Sequence, residues 1–440
     1  MTYEREMLRW VETHFEEARQ DFHGIRQEIG NSALCYRNRC VQSLAVPKVY
    51  SRRDAALMDE FVAGCFAVFR KVIDRYLADG AYRRLFPFPP ELERLILLPA
   101  QYGCRVPMAR VDFFFDEVTK AVKLCEVNTD GASAMNEDRI LGGLLGKNRA
   151  YQSFAETHGC RPFELFDSWA GEFLSLCREH SPSGGPPFVA IADFLEKATL
   201  PEFRQFALAF EQRGMRAEIC DIRDIRYEGG RLLTPRGDAI DAVYRRAVTS
   251  DIMANAADVR PFLQGALDGA ACLVGGFRTQ VIHNKALFGV LHREETLSFL
   301  APEERAFVLR HVPLTYPLLP AHIEKHNALA EKDRWIIKPY DSYGSRGVYA
   351  GLDCGQGEWE RLVGSCAGDG YLMQEYCAPY RSANVDFTDA QPKERPFCNI
   401  TGVFCYNERP YGIYSRLSKG NVISSQYDEK SVATLVCEEG

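Results

Sequence analysis

The chain has no long apolar run, no Lys/Arg tract, no paired CxxC spacing, no internal repeat and no glycine-rich dinucleotide fingerprint. Each absence removes a class of function. Without an apolar stretch of about 18 residues, no segment reads as a bilayer-spanning helix. The opening Met1-Thr-Tyr-Glu-Arg-Glu-Met-Leu-Arg-Trp10 is charged and lacks the apolar centre of a secretory signal. A formal net charge of −7 with no basic cluster argues against a general nucleic-acid-binding role. The 15 cysteines are odd in number and scattered, so neither a disulfide framework nor a zinc site is expected. Reduced thiols in the cytoplasm are the expectation. No GxGxxG follows a strand, which leaves a nicotinamide-dependent oxidoreductase unsupported. Gly142-Gly-Leu-Leu-Gly-Lys-Asn148 falls one residue short of a P-loop and carries Asn148 where Ser/Thr is required.

What remains is an α/β chain of 440 residues, long enough for about two to three domains. Residues 1–105 are mainly helical. Asp54 to Leu77 carries apolar side chains at helical spacing, with Asp54 placed to cap it and Gly80 just past its end. Residues 106–180 hold a hairpin and a helical return from about Asn136 to Glu179. Ser181-Pro-Ser-Gly-Gly-Pro-Pro187 reads as a linker. In 187–282, strands at Phe188–Ala192, Ala217–Cys220, Ala239–Tyr244 and Ala271–Val274 alternate with a helix over Leu200–Arg213 and a hairpin over Asp224–Leu233. That order predicts a small parallel sheet. Residues 283–440 contain a helix starting near Lys285 and strands at Arg334–Lys338, Tyr371–Tyr376, Phe397–Tyr406 and Tyr411–Arg416.

The hairpin is the richest stretch. Folding Asp112-Phe-Phe-Phe-Asp-Glu-Val-Thr-Lys-Ala-Val-Lys-Leu-Cys-Glu-Val-Asn128 about Thr119 sets Asp112 opposite Glu126, with Asn128 on the same face. Opposed carboxylates destabilise a hairpin unless a cation joins them, and Mg²⁺ takes such oxygen ligands. A plain surface hairpin is the alternative. Cys125, beside Glu126, reads as strand packing rather than a nucleophile.

A phosphate signal lies in Trp335-Ile-Ile-Lys-Pro-Tyr-Asp-Ser-Tyr-Gly-Ser-Arg-Gly-Val-Tyr349. A strand delivers Lys338. Ser342, Gly344, Ser345 and Gly347 then form a loop whose small residues let backbone N–H groups approach phosphate oxygens. An ordinary hairpin loop with a surface lysine is the alternative. Lys285 follows a strand-like pair, Val281-Ile282, and opens a helix, where the helix dipole adds positive charge. Gln374, Glu375 and Tyr376 end a strand that could hydrogen-bond an adenine, or could form a plain edge. His322 and His326 stand one helical turn apart without a third ligand, so a solvated helix face is expected rather than a metal site.

Taken in order, Arg110-Val-Asp112, Glu126-Val-Asn128-Thr-Asp130, Asn284-Lys285, the Lys338-Pro loop, Gln374-Glu375 and the closing Gly402–Arg416 segment resemble the circularly permuted ATP-grasp ligases of the glutathionylspermidine-synthase-like group. The resemblance implies an ATP-grasp fold with a small parallel pre-ATP-grasp domain. It implies Mg²⁺ on Asp112, Glu126 and Asn128, Arg110 facing the γ-phosphate, Lys285 and Lys338 on the nucleotide phosphates, and Arg416 near the reacting carboxylate. The implied activity is an ATP-dependent carboxylate–amine ligation through an acyl phosphate, on small acid and amine substrates such as an amino acid, a peptide or a polyamine. Gly131-Ala-Ser133 departs from the group's usual Thr-Pro or Ser-Ala-Ser, which makes Asp130 and Ser133 candidate substrate-reading positions. Val243-Tyr-Arg-Arg246 matches a related branch. Arg245 and Arg246 could bind a substrate carboxylate bidentately, or form a surface pair after a strand. A non-catalytic nucleotide-binding homologue and an ATP-dependent phosphotransferase on the same fold are the alternative functions.

Overall fold

The computed structural model describes residues 3–36, 39–181, 184–342, 344–368, 370–424 and 428–438. The linker signal at Ser181–Pro187 falls partly on residues 182 and 183, outside that set.

A six-stranded antiparallel sheet forms the centre. Its order runs Lys430–Val432, Arg409–Ser418, Glu394–Tyr406, Met108–Phe115 and Val122–Asn128, with Arg381–Val385 added to the first half of the Glu394 strand. The expected hairpin is its edge pair, turned by an Asx motif in which Asp116 Oδ1 accepts from Val118 N and Thr119 N. Alternation along Met108–Phe115 sends Val111, Phe113 and Phe115 into the main core and Arg110, Asp112 and Phe114 the other way. The core side is covered by the long helix Arg52–Ala78. That helix buries Met58, Phe61, Val62, Cys65, Phe66, Phe69, Val72, Ile73 and Tyr76 at helical spacing, with Phe61 edge-on to Phe113 at 5.0 Å. Ser51, not Asp54, caps this helix. The Ser51 side chain accepts from Asp54 N, and Asp54 in the first turn instead takes Lys120 Nζ.

The second sheet is parallel, ordered Cys272–Val274, Ala242–Arg245, Phe188–Asp193, Arg216–Asp221, as the alternating pattern predicted. The helix Leu200–Gln212 covers it with Phe203, Phe206 and Phe210. The edge strand Cys272–Val274 is capped by side chains: Gln101 bonds Ala271 O and Leu273 N, and Tyr102 Oη donates to Leu273 O. A third, antiparallel sheet is ordered Thr315–Pro317, Tyr371–Glu375, Trp335–Pro339, Tyr349–Ala350, over a core of Trp335, Ile337, Trp359 and Met373.

Several expectations change. The return after the hairpin is not continuously helical: the helices Met135–Leu144, Arg149–Ala155 and Phe166–His180 are interrupted by the strand Gly159–Pro162. That strand pairs with Thr434–Glu438, which also pairs in parallel with Lys48–Ser51. Val281 and Ile282 are helical, in Gln280–His283. The thiols are not all free. Cys160 faces Cys437 across paired strands, Cα atoms 4.3 Å apart, and the two form a disulfide, as do Cys35 and Cys40. Pairing across 277 residues depends on strand register that spacing does not carry. Among the described residues no helix is long and apolar enough to cross a membrane.

Candidate functional site

The polar face of the central hairpin, the carboxyl ends of the parallel strands and the end of the Trp335 sheet converge on one cavity of about 430 Å³. Carboxyl ends of parallel strands are where open α/β sheets bind ligands. Of the residues given a catalytic, nucleotide, metal or substrate role from the sequence, all but Asp112, Arg245 and Gly347 line this cavity.

Asp112 pairs directly with Glu126, as the hairpin reading required. Its carboxylate is completely buried beneath the cavity wall. Oδ1 accepts from Arg110 Nε at 2.7 Å, and Oδ2 accepts from Arg110 Nη2 at 2.9 Å, Arg416 Nη2 at 2.7 Å and Asn128 Nδ2 at 3.1 Å. The opposed carboxylates are thus compensated by two guanidinium groups and an amide. Gly402 lies across the sheet from Asp112, and a Cβ there would meet Asp112 Oδ1 at 2.5 Å and Arg110 Cδ at 2.9 Å. Only glycine admits this packing.

Glu126 faces the cavity. Burial raises its pKa, but Lys285 and Arg416 outweigh that and hold it at about 2, so it is ionised at any working pH. Asn128 Nδ2 also reaches Glu126 Oε1 at 3.2 Å. The strand register slips by one between Asp112 and Phe113, leaving Cys125 as the extra residue of a β-bulge. The bulge brings Cys125 to the cavity wall, where burial pushes its thiol up to about 12. It is therefore an unreactive wall residue, packed against Cys398, Ile400 and Ile423 as the packing reading expected.

The four cations stand around these carboxylates. Lys285 Nζ donates to Ser342 O at 3.1 Å and lies 3.9 Å from Glu126 Oε2. Lys338 Nζ donates to Gln374 Oε1 at 2.8 Å, and Gln374 Nε2 donates in turn to Thr315 Oγ1 at 2.9 Å. Gln374 therefore aims a lysine. Glu375 and Tyr376 follow it at the cavity edge. The loop after Lys338 places Gly344, Ser345 and Gly347 at φ +64°, +56° and +72°. Gly344 O is held by Ser424 Oγ at 3.1 Å. Arg110 lies over the rings of Phe404 and Tyr414, 5.8 Å from each.

The stretch 130–134 is tied down from below. Asp130 is buried, ion-paired with Arg245 at 2.5 Å, and accepts from Thr249 N and from Gln280 Nε2 at 2.8 Å. Burial raises the Asp130 pKa, but Arg245 prevails and holds it below the usual carboxylate range. Arg245 also donates to Gly275 O and Ala247 O and stays outside the cavity lining. Arg246 donates to Ala132 O, Gly131 O and Glu202. Neither arginine is a surface residue: both are buried and held by internal acceptors, while Arg245 Nη2 and Arg246 Nε have no hydrogen-bond partner among the described residues, and only Arg246 of the two lines the cavity. Gly131 has φ +64°, and a Cβ on it would strike Arg246 O at 2.7 Å, so the departure at this position is dictated by backbone contact. Ser133 is exposed in the cavity while its carbonyl accepts from Arg110 Nη1.

Sequence reasoning missed Glu202, which caps Met135–Leu144 by accepting from Ala134 N and Asn136 N and also holds Arg246. It missed Glu429, 3.4 Å from Arg416, Glu137, which accepts from Tyr414 Oη at 2.6 Å, and Asp193, whose pKa burial pushes up to about 7. Asp193 ends a strand the sequence did reveal, a position that could have flagged it. His322 lies on, and His326 caps, a helix with no buried residue; both are partly exposed, and both rings stack on Tyr316, at 5.4 and 4.1 Å.

No known family profile matches the chain, and no curated protein matches it in sequence. Solved structures do match. A glutathione synthetase-like effector from Globodera pallida, in apo form, aligns with a TM-score of 0.61 at 11% identity over 94% of this chain and 96% of that one. A putative gamma-glutamylcysteine synthetase from Methylobacillus flagellatus aligns at 0.41 and 10% identity over 88% and 89%. D-cycloserine synthetase aligns at 0.30 and 12% identity over 57% and 92%. The chain thus shares its fold with the glutathione synthetase-like effector across nearly the full length of both.

Proposed function

We propose that the protein is an ATP-dependent carboxylate–amine ligase of the ATP-grasp type, with its nucleotide between the Trp335 sheet and the central hairpin. One observation carries this reading. Lys285, Lys338, Arg110, Arg416, Glu126 and Asn128, drawn from segments up to about 300 residues apart, face a single cavity. A cavity ringed by fixed cations and permanently ionised carboxylate suits phosphoryl transfer, which depends on positioning and charge neutralisation. The fold shared with a glutathione synthetase-like effector supports the same class.

Two of the expected donors fit Mg²⁺: Glu126 presents a carboxylate to the cavity, and the Asn128 amide can turn to present Oδ1, whereas the Asp112 oxygens are buried outside the lining and taken by Arg110, Arg416 and Asn128, so Asp112 fixes those groups instead. Bound there, Mg²⁺ would neutralise phosphate charge. In the proposed reaction, a substrate carboxylate oxygen attacks the γ-phosphorus of ATP and ADP leaves. The amine nitrogen then attacks the acyl phosphate carbonyl, and phosphate leaves with formation of the amide. Lys338, aimed by Gln374, and Lys285 hold phosphate oxygens. Arg110 and Arg416, fixed by Asp112, face the transferring group and the acid. The parallel sheet of 187–282 acts as the pre-ATP-grasp unit, and the pinned turn 131–133 borders the acid.

ADP release in the presence of an acid-plus-amine library tests this. Glu126→Gln and Lys338→Ala should each lower turnover at least about a hundredfold while the fold is kept, roughly 3 kcal/mol of transition-state stabilisation. Hydroxylamine should trap the acyl phosphate. Near-normal turnover in both variants would sink the assignment.

A further inference from the structure

A second cavity, of about 180 Å³, lies at the capped edge of the parallel sheet and shares no lining residue with the first. Its walls are largely apolar, with Leu95, Leu98, Leu267, Leu273 and Phe277 among them. Its polar features are mostly spent. Gln101 and Tyr102 are committed to the edge strand, and Asp268 accepts from Tyr227 and Gln264. Arg278 is the exception. It is half-buried in this lining, and one of its terminal nitrogens donates to Leu98 O at 2.6 Å. Among the described residues no carboxylate forms an ion pair with it. Asp74, the carboxylate whose charge reaches it, is held bidentately by Arg105 at 3.0 and 3.0 Å. Burial lowers the pKa of Arg278, the expected direction for a guanidinium whose charge lacks a close partner.

Charges withdrawn from water are ordinarily paired, and a guanidinium fork matches a carboxylate in shape and donor spacing. We propose that this cavity is a binding site for a small carboxylic acid with an apolar body, its carboxylate on Arg278 and its hydrocarbon against the leucines. A bare oxyanion would leave the leucine wall unfilled, and a neutral analogue would leave Arg278 unpaired. Arg278 stands two residues before Gln280, which bonds Asp130, and seven before Lys285, so an acid seated here sits at the root of the segment that supplies a cation to the first cavity.

Calorimetric titration of the intact protein with hexanoate, hexanamide and inorganic phosphate is the test. Hexanoate should bind the native protein, with hexanamide and phosphate at least about tenfold weaker. Arg278→Gln should weaken hexanoate at least about tenfold, the loss expected for one charge-assisted hydrogen-bonded pair. Ala266→Phe, which fills the cavity and leaves the Arg278 side chain in the protein, should abolish binding and supplies the answer if the arginine variant does not fold. No hexanoate binding, equal affinity in either folded variant, or equal binding of hexanamide or phosphate each overturns the proposal.

Discussion

Arg245→Met is the sharpest perturbation of the site's foundations. The substitution keeps much of the side-chain volume and removes the guanidinium. Asp130 would remain with a side chain only 1% exposed and facing no cation at 2.5 Å, and Gly275 O and Ala247 O would lose their donor. Breaking a buried pair from one side costs about 3–5 kcal/mol, because a charge is left without compensation. Asp130→Asn alone should cost less, since the amide can still accept from Thr249 N and Gln280. The double variant should recover part of the loss, giving a coupling of about 2 kcal/mol in the cycle. Urea unfolding followed by tryptophan fluorescence reads this directly, because Trp169 packs on Tyr244, the residue before Arg245, at 5.4 Å. The reasoning fails if Arg245→Met costs less than about 1 kcal/mol, if the coupling is near zero, or if the variant changes only the KM for an acid substrate.

Two further outcomes follow from buried contacts. Asp138 is buried and, among the described residues, accepts only from Thr434 N at 3.3 Å, and burial pushes its pKa up to about 7 from 3.8. A carboxyl with a raised folded pKa stabilises the fold fully below about 3.8, and that contribution is lost as pH rises through about 7. The difference is on the order of 4 kcal/mol. Asp138→Asn should therefore gain stability over the native protein between pH 4 and 7 and level off above, as read by chemical denaturation; a pH-independent difference refutes it. Gly402→Ala should cost about 1–3 kcal/mol from overpacking, with a larger proportional loss of ADP release because Arg110 and Asp112 are what the new methyl strikes; unchanged turnover would show that this pair does not position the reaction.

The sequence exposed what is local. The hairpin register, the parallel strands and the Lys338 loop each announce themselves within about 20 residues. The β-bulge at Cys125 was hidden because it is a one-residue slip inside the hairpin, between Asp112 and Phe113, and folding the stretch about Thr119 gives a regular register. The fates of Arg245 and Arg246 were hidden too. Two arginines after a strand look like a surface pair until Asp130, Gly275 and Ala247 are seen to hold Arg245, and the turn 131–132 and Glu202 to hold Arg246. Ser51 replaced Asp54 as cap because the preceding strand, Lys48–Ser51, is specified by Thr434–Glu438 near the other end of the chain.

That last pairing has a consequence for synthesis. Strands Lys48–Ser51 and Gly159–Pro162 wait for Thr434–Glu438, and the hairpin bearing Glu126 waits for Glu394–Tyr406. Contacts of such long sequence separation form late and slowly. The parallel sheet of 187–282 can assemble while the ribosome is still working, but the wall that carries Arg110 and Glu126 cannot close until the final strands emerge. In the interval the nascent chain shows the unpaired edge of Met108–Phe115 to its surroundings, a demand on chaperones built into the order of its strands.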